Sequence, residues 1–220
     1  KPSEAVCTPE EQDYLCDFAS RYFEKPVTRD DIVWTYSGVR PLYDDGASSA
    51  TAATRDYVLS LNTDGGAAIL SVFGGKITTY RKLAEAVTDQ VSRYFPGAGR
   101  SWTRTAVLPG GDFNTQEQLA TELAADFPWL DDAVIHRFVR SYGTSSYQIL
   151  EGCQNMADLG HWFTDTLSRR EVDYLMTHEW AITPEDLLWR RTKQGLYINP
   201  EQYSELSEYM NRSGQVSSEC

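Results

Sequence analysis

A Gly-Gly turn that hands a short apolar run over to a helical pattern is the strongest chemical signal in this sequence. Ala68 to Phe73 ends in Gly74 and Gly75, and Lys76, Ile77, Thr78 and Thr79 follow at the head of the helix. A helix start leaves backbone N–H groups without intrahelical partners and carries about half a positive charge. Lys76 adds a full charge there, and Thr78 and Thr79 add hydroxyls, so the segment can hold a phosphate or a ring carbonyl that gains negative charge. A tight turn capped by threonines would give the same letters, and the spacing is not that of a P-loop.

Two arginines stand where they could join that site. Arg40 follows an aromatic, alternating stretch and precedes Pro41, which fixes the chain and presents the guanidinium. Arg55 opens the next alternating stretch, on the face of Tyr57. With Lys76 they make three cations at strand ends of a chain whose formal charge is −12, a set suited to a phosphorylated substrate. The denser cluster Trp189-Arg190-Arg191-Thr192-Lys193 falls in the last turns of a helix, where cations complement the dipole, and is expected to be structural. His136, His161 and His178 have no metal-ligand spacing, and Cys7, Cys16, Cys153 and Cys220 form no Cys-x-x-Cys pair. Neither a metal site nor a disulfide framework is expected, and the acidity excludes nucleic acid as a partner. Free thiols and the lack of an apolar run long enough to span a bilayer point to a cytoplasmic protein. The chain starts without methionine, which reads as a piece of something longer.

The elements that must position these residues follow from periodicity and punctuation. Thr8-Pro9-Glu10-Glu11 is a capping box, and Tyr14, Leu15, Phe18 and Tyr22 recur at helical spacing behind it. Ile32, Trp34 and Tyr36 alternate with Val33, Thr35 and Val39, which predicts a strand leading to Arg40. Residues 44–49 read as a loop, Arg55 to Leu61 as a second strand, Asp64-Gly65-Gly66 as a turn and Ala68 to Phe73 as a third strand. Ile77, Tyr80, Ala84, Val87, Val91 and Tyr94 then form one helical stripe that ends at Pro96. Turn formers at Leu108-Pro109-Gly110-Gly111 mark a boundary, giving domains 1–107 and 108–220. Beyond it the chain reads as all helical. Leu119 and Leu123 mark one helix; Val134, Phe138 and Tyr142 mark another, closed by Gly143. Ser168-x-x-Glu171 and Thr183-Pro184-Glu185-Asp186 are capping boxes, the latter opening a helix to Gly195, and Asn199-Pro200 starts the last helix. The fold class is thus α+β, strands with a helix, followed by an all-α C-terminal domain.

Four blocks, Trp34 to Leu42, Thr54 to Tyr57, Leu70 to Lys82 and Leu108 to Gly111, resemble in residues, order and spacing the bacterial FAD-dependent (aerobic) glycerol-3-phosphate dehydrogenases. His178-Glu179-Trp180 and Asp186 to Gly195 resemble that family's helical C-terminal domain. The family's Gly-x-Gly-x-x-Gly dinucleotide motif is not in this chain. The resemblance therefore implies the end of the substrate and FAD domains plus the whole helical domain. It implies an enzyme that oxidises sn-glycerol 3-phosphate to dihydroxyacetone phosphate, with hydride passing to FAD and electrons to quinone. Gly74, Gly75, Lys76, Ile77, Thr78 and Thr79 would face the flavin, and Arg40, Arg55, Lys76 and Thr78 the substrate. No catalytic base is assigned. The chain alone is expected to retain no FAD and to be inactive without the N-terminal FAD domain; a homodimer and a peripheral contact with the inner membrane are compatible with the resemblance. An oxidase that passes electrons to oxygen, and a non-catalytic helical module for interaction or dimerisation, are the alternatives.

Overall fold

A computed structural model of the chain describes residues 4–44, 46, 54 and 56–216. They form two compact units, 1–106 and 107–220. In the first, α1 (Pro9–Ser20) starts at the expected capping box: Thr8 N donates to Glu11 Oε2 at 2.8 Å and Glu11 N donates to Thr8 Oγ1 at 3.3 Å. Strands β1 (Val58–Asn62) and β2 (Ile69–Phe73) make an antiparallel hairpin with Val58 opposite Phe73 and Asn62 opposite Ile69. A 3-10 turn at Ile77–Thr79 runs into α2 (Tyr80–Val91) and a second 3-10 turn at Ser92–Tyr94, so the predicted stripe lies on one helical rod. Glu85 ties that rod to the following segment. The Ser101 hydroxyl and the Lys82 ammonium, which both donate to it, hold its carboxyl down at about 2.

The strand expected over Ile32 to Val39 is absent: this stretch pairs with no neighbour, and the sheet among the described residues is the β1-β2 hairpin alone. Alternation of side chains marks a segment fit to be a strand, but a strand exists only through the ladder of a neighbour. Ile32 is extended, and Trp34 stacks on Tyr36 with ring centroids 5.3 Å apart. Most of the loop expected at residues 44–49 and the first residue of the second expected strand, Arg55, lie outside the described residues.

The second unit holds the core. Helices α3 (Gln116–Asp126), α4 (Asp132–Tyr142), α5 (Ser146–Ile149), α6 (Arg169–His178) and α7 (Pro200–Val216) enclose it, with Leu123, Val134, Phe138, Leu150, Leu175, Leu187 and Leu206 fully buried. Among the described residues of the first unit only Cys16 is buried, and it is 7% exposed. Gly143 closes α4 as the sequence predicts, with φ +55° and ψ −132°. It faces Gly110 (φ +77°), whose carbonyl accepts the Thr144 N–H at 2.9 Å.

Of the two capping boxes of this unit, the one at Thr183 is reciprocal, with Asp186 N donating to Thr183 Oγ1 at 3.2 Å and Thr183 N to Asp186 Oδ2 at 2.9 Å, and the one at Ser168 is not. Ser168 Oγ accepts from Glu171 N at 3.3 Å, but the Glu171 carboxylate does not return to the cap. It is fully buried and takes hydrogen bonds from Arg137, at 2.6 Å from Nη1, and from the Tyr142 hydroxyl, while Arg137 Nη2 also donates to Thr166 O. The helix expected from Thr183 to Gly195 is a π-helix over Asp186–Arg191, closed by Thr192 N donating to Leu187 O at 3.0 Å. Adjacent Leu187 and Leu188 within it are both fully buried. Asp186 opens it, accepting from Ile182 N at 3.1 Å and Thr183 N at 2.9 Å and from Arg190 at 2.5 Å. These bonds, Thr183's first, hold its carboxyl down at about 2. A depressed folded value gives stability that is present above the ordinary aspartate range and lost as pH falls through the folded value. Asp186→Asn should therefore cost about 1 kcal/mol at neutral pH, with the difference from wild type vanishing near pH 2 in urea melts.

Candidate functional site

The first unit carries a cavity of about 760 Å³ lined by the chain from Tyr36 to Leu42 and by Gly75, Lys76, Ile77 and Thr78. Its two walls are 35 residues apart in sequence and meet where Pro41 and Tyr43 pass beside Gly74 at ordinary van der Waals distance, so the backbone angle rather than space calls for glycine there. A Cβ at Gly74 would lie 3.4 Å from Asp56 O and 3.5 Å from both Pro41 O and Tyr43 N. The Tyr43 ring packs on Phe73 at 5.6 Å and fastens the same segment to the end of β2. Gly74 and Gly75 have φ of +67° and +99°, a region that side chains strain to enter, so the turn requires both glycines.

Arg40, Gly75, Lys76, Ile77 and Thr78 line this one cavity. Gly74 stands behind it, against Pro41 and Tyr43. Thr79 is engaged in the turn itself: its N–H donates to Lys76 O at 2.9 Å, as does its hydroxyl at 2.9 Å, while Lys76 N reaches Thr79 Oγ1 at 3.4 Å. Arg55 lies outside the described residues. Arg40 and Lys76 are exposed and have no carboxylate partner among the described residues, so both charges are available to an anion. Ile77, 89% exposed at the lip, presents an apolar face beside them. A polar floor with two unpaired cations, an aromatic wall and an apolar lip is suited to a planar ring with a phosphorylated small molecule against it.

The sequence reading missed Tyr36, Gly38, Val39, Pro41 and Leu42 as cavity residues. The available signal was the proline that pins Arg40, which fixes its neighbours equally. The cluster at Arg190 to Lys193 has the structural partners expected of it: Arg190 pairs with Asp186, and Lys193 Nζ donates to Trp189 O. Among the described residues no group of histidine, cysteine and carboxylate side chains could hold a metal ion, and no helix is long and apolar enough to cross a membrane. Cys7, Cys16 and Cys153 are free thiols.

Residues 101–211 match the family of the C-terminal domain of alpha-glycerophosphate oxidase. The chain is 43% identical over 202 residues to the aerobic glycerol-3-phosphate dehydrogenase of Escherichia coli (strain K12), covering 91% of this chain and 40% of that protein. It is 43% identical over 211 residues to the glycerol-3-phosphate dehydrogenase of Pseudomonas aeruginosa, covering 95% and 41%. The D-erythritol 1-phosphate dehydrogenase of Brucella abortus is 38% identical over 218 residues, covering 98% and 43%. The chain thus spans about 40% of the length of these relatives.

Proposed function

Because the chain belongs to the family of the C-terminal domain of alpha-glycerophosphate oxidase, we propose that it is the C-terminal portion of a flavin-dependent sn-glycerol-3-phosphate dehydrogenase and supplies one side of its active site. The observation that carries this reading is the meeting of Arg40 with Gly75 to Thr78 in one cavity. Residues 1–107 are then the ends of the substrate and FAD domains, and 108–220 is the helical domain. Unit 1 has the surface of a fold that further chain completes: Phe18, Tyr22, Ile69, Val72 and Phe73 are exposed on it.

The residues present fit the edge of an isoalloxazine ring. Backbone at Gly74 and Gly75 carries no side chain, and the helical rod behind it turns its positive end toward the cavity. When bound, FAD takes up the hydride of the substrate's carbinol carbon. Backbone N–H groups at Gly75, Ile77 and Thr78 would hold the carbonyl edge of the ring and would favour negative charge there, on a turn that Lys76 and Thr79 brace. Arg40 orients the phosphate, with Arg55, and Lys76 and Thr78 complete the contact, so the carbinol carbon is held in place rather than searching for it. The catalytic base lies outside the residues assigned here.

The relatives' names give two substrates that share a polyol chain with a terminal phosphate. Arg40 and Lys76 address the shared phosphate, and 43% identity to the Escherichia coli and Pseudomonas aeruginosa glycerol-3-phosphate enzymes, against 38% to the erythritol enzyme, favours the three-carbon substrate. Electrons pass to quinone at a peripheral membrane site on the cytoplasmic side, and two copies pair as a homodimer. The oxidase in the family's description favours oxygen as the rival acceptor, which peroxide formation would reveal. Joined to its N-terminal FAD domain, the protein should reduce a dye with glycerol 3-phosphate, and Arg40→Ala should lower kcat/KM by about 2–4 kcal/mol, roughly 30- to 1000-fold. An unchanged kcat/KM would overturn the role of Arg40. No turnover in the joined protein would leave a non-catalytic helical module, which the self-contained core of the second unit also supports.

A further inference from the structure

The helical unit carries a second cavity, of about 800 Å³, enclosed by α4, the loop at 164–166, the turn at 192–197 and the start of α7. Arg137, Arg140 and Lys193 line it with His136, against a single carboxylate, Asp165. In a chain of formal charge −12 this is a local reversal of sign, and a cleft focuses such a field. Arg137 is committed to Glu171. Arg140 and His136 are exposed and have no hydrogen-bond or ion-pair partner among the described residues.

The wall also holds an incompletely used buried amide. Gln194 is 2% exposed, and its Oε1 accepts from Thr164 Oγ1 at 2.9 Å and Thr166 Oγ1 at 3.2 Å. Its Nε2 has no hydrogen bond among the described residues. Arg137 Nε is the only fully buried side-chain nitrogen or oxygen left unpaired there, so Gln194 Nε2 keeps access to the cavity that the residue lines. The neighbouring Lys193 has φ +60°, one of two non-glycine residues with positive φ among those described, and strain of this kind collects at ligand sites.

We propose that this cleft binds a small hydroxylated oxyanion, a phosphate ester or a carboxylate. Arg140 and His136 take the charged group, Lys193 contributes to the field, and the Gln194 amide donates to a ligand oxygen. The volume suits a small organic molecule rather than a bare ion. The site is built wholly from residues after 116 and is independent of the cavity around Arg40. Calorimetric titration of the chain with glucose 6-phosphate, gluconate and neutral glucose tests it. Saturable binding of at least one of the two anions at about 1 mM or below is expected, with glucose silent. Phosphate alone or carboxylate alone then identifies the charged group. Arg140→Glu should weaken that binding at least tenfold without moving the melting temperature, since its side chain is exposed. No saturable binding of either anion up to about 10 mM would overturn the proposal. So would glucose binding as tightly as the anions, or affinity unchanged in Arg140→Glu.

Discussion

Arg137→Ala is expected to cost the helical unit about 3–5 kcal/mol, because it strands a carboxylate where water cannot reach it. Glu171 is fully buried at the start of α6, and Arg137 from α4 supplies most of its donors. Burial alone would pull the Arg137 guanidinium down, but the hydrogen bond and charge of Glu171 outweigh it and hold the value raised. Burial, then the Glu171 charge, pushes the Tyr142 phenol well above its ordinary range, so it remains a protonated donor to the same carboxylate. A raised arginine value gives stability that is present below its unfolded pKa and lost only as pH rises through the folded one. The loss in Arg137→Ala should appear at neutral pH as a fall in Tm of roughly 15–25 °C by calorimetry. The triple variant Arg137→Met/Glu171→Leu/Tyr142→Phe removes all three polar groups and should regain most of it. A single variant within about 0.5 kcal/mol of wild type, the range of a surface substitution, would show that the carboxylate finds water.

Gly143→Ala should be nearly as damaging, for a reason of space rather than charge. A Cβ at Gly143 would stand 1.8 Å from Gly110 O, and one at Gly110 would stand 2.2 Å from Tyr142 O. Gly110 thus occupies the room that a side chain at Gly143 would need, the Tyr142 carbonyl occupies the room that one at Gly110 would need, and both glycines have positive φ. Neither backbone can give way without breaking the Thr144 N–H bond to Gly110 O. We expect a loss of about 4 kcal/mol in urea unfolding, strain and displacement together. Gly152→Ala is the control: φ there is +76°, but nothing lies within 4 Å of the added carbon, so strain alone should cost about 1 kcal/mol. Equal losses in the two variants would refute the steric exclusion.

What the sequence disclosed, it disclosed locally. The Thr8-Glu11 box, the Gly143 cap, the Gly74-Gly75 turn and the rod behind it are written in residues three or four apart, where chemistry and geometry coincide. Distance erased the rest. Ile32 to Val39 has the alternation of a strand, but its neighbour is not in the described chain, and no pattern within eight residues states whether a neighbour exists. Glu171 stands at the reciprocal position of a capping box, and nothing near it foretells Arg137, 34 residues away. Thr183-Pro184-Glu185-Asp186 starts an α-helix or a π-helix equally well, and nothing in those four residues tells the two apart. At the candidate site, Lys76 and Thr78 were legible from the turn, and Arg40 from the proline after it. Their meeting was not, since it depends on Pro41 and Tyr43 passing over Gly74.

The uneven division of the core sets where the chain is vulnerable when it stands alone. Residues 107–216 carry their own interior, whereas among the described residues before them only Cys16 is buried. A protease meets backbone in proportion to how often it opens, and opening is governed by the apolar contacts that must be undone. Cleavage should begin in the N-terminal half and halt near residue 107, trimming the chain to its helical unit. The same stretch that carries the Arg40 cavity is then the first to be destroyed, so a chain exposed to protease loses that cavity well before it loses its helical fold.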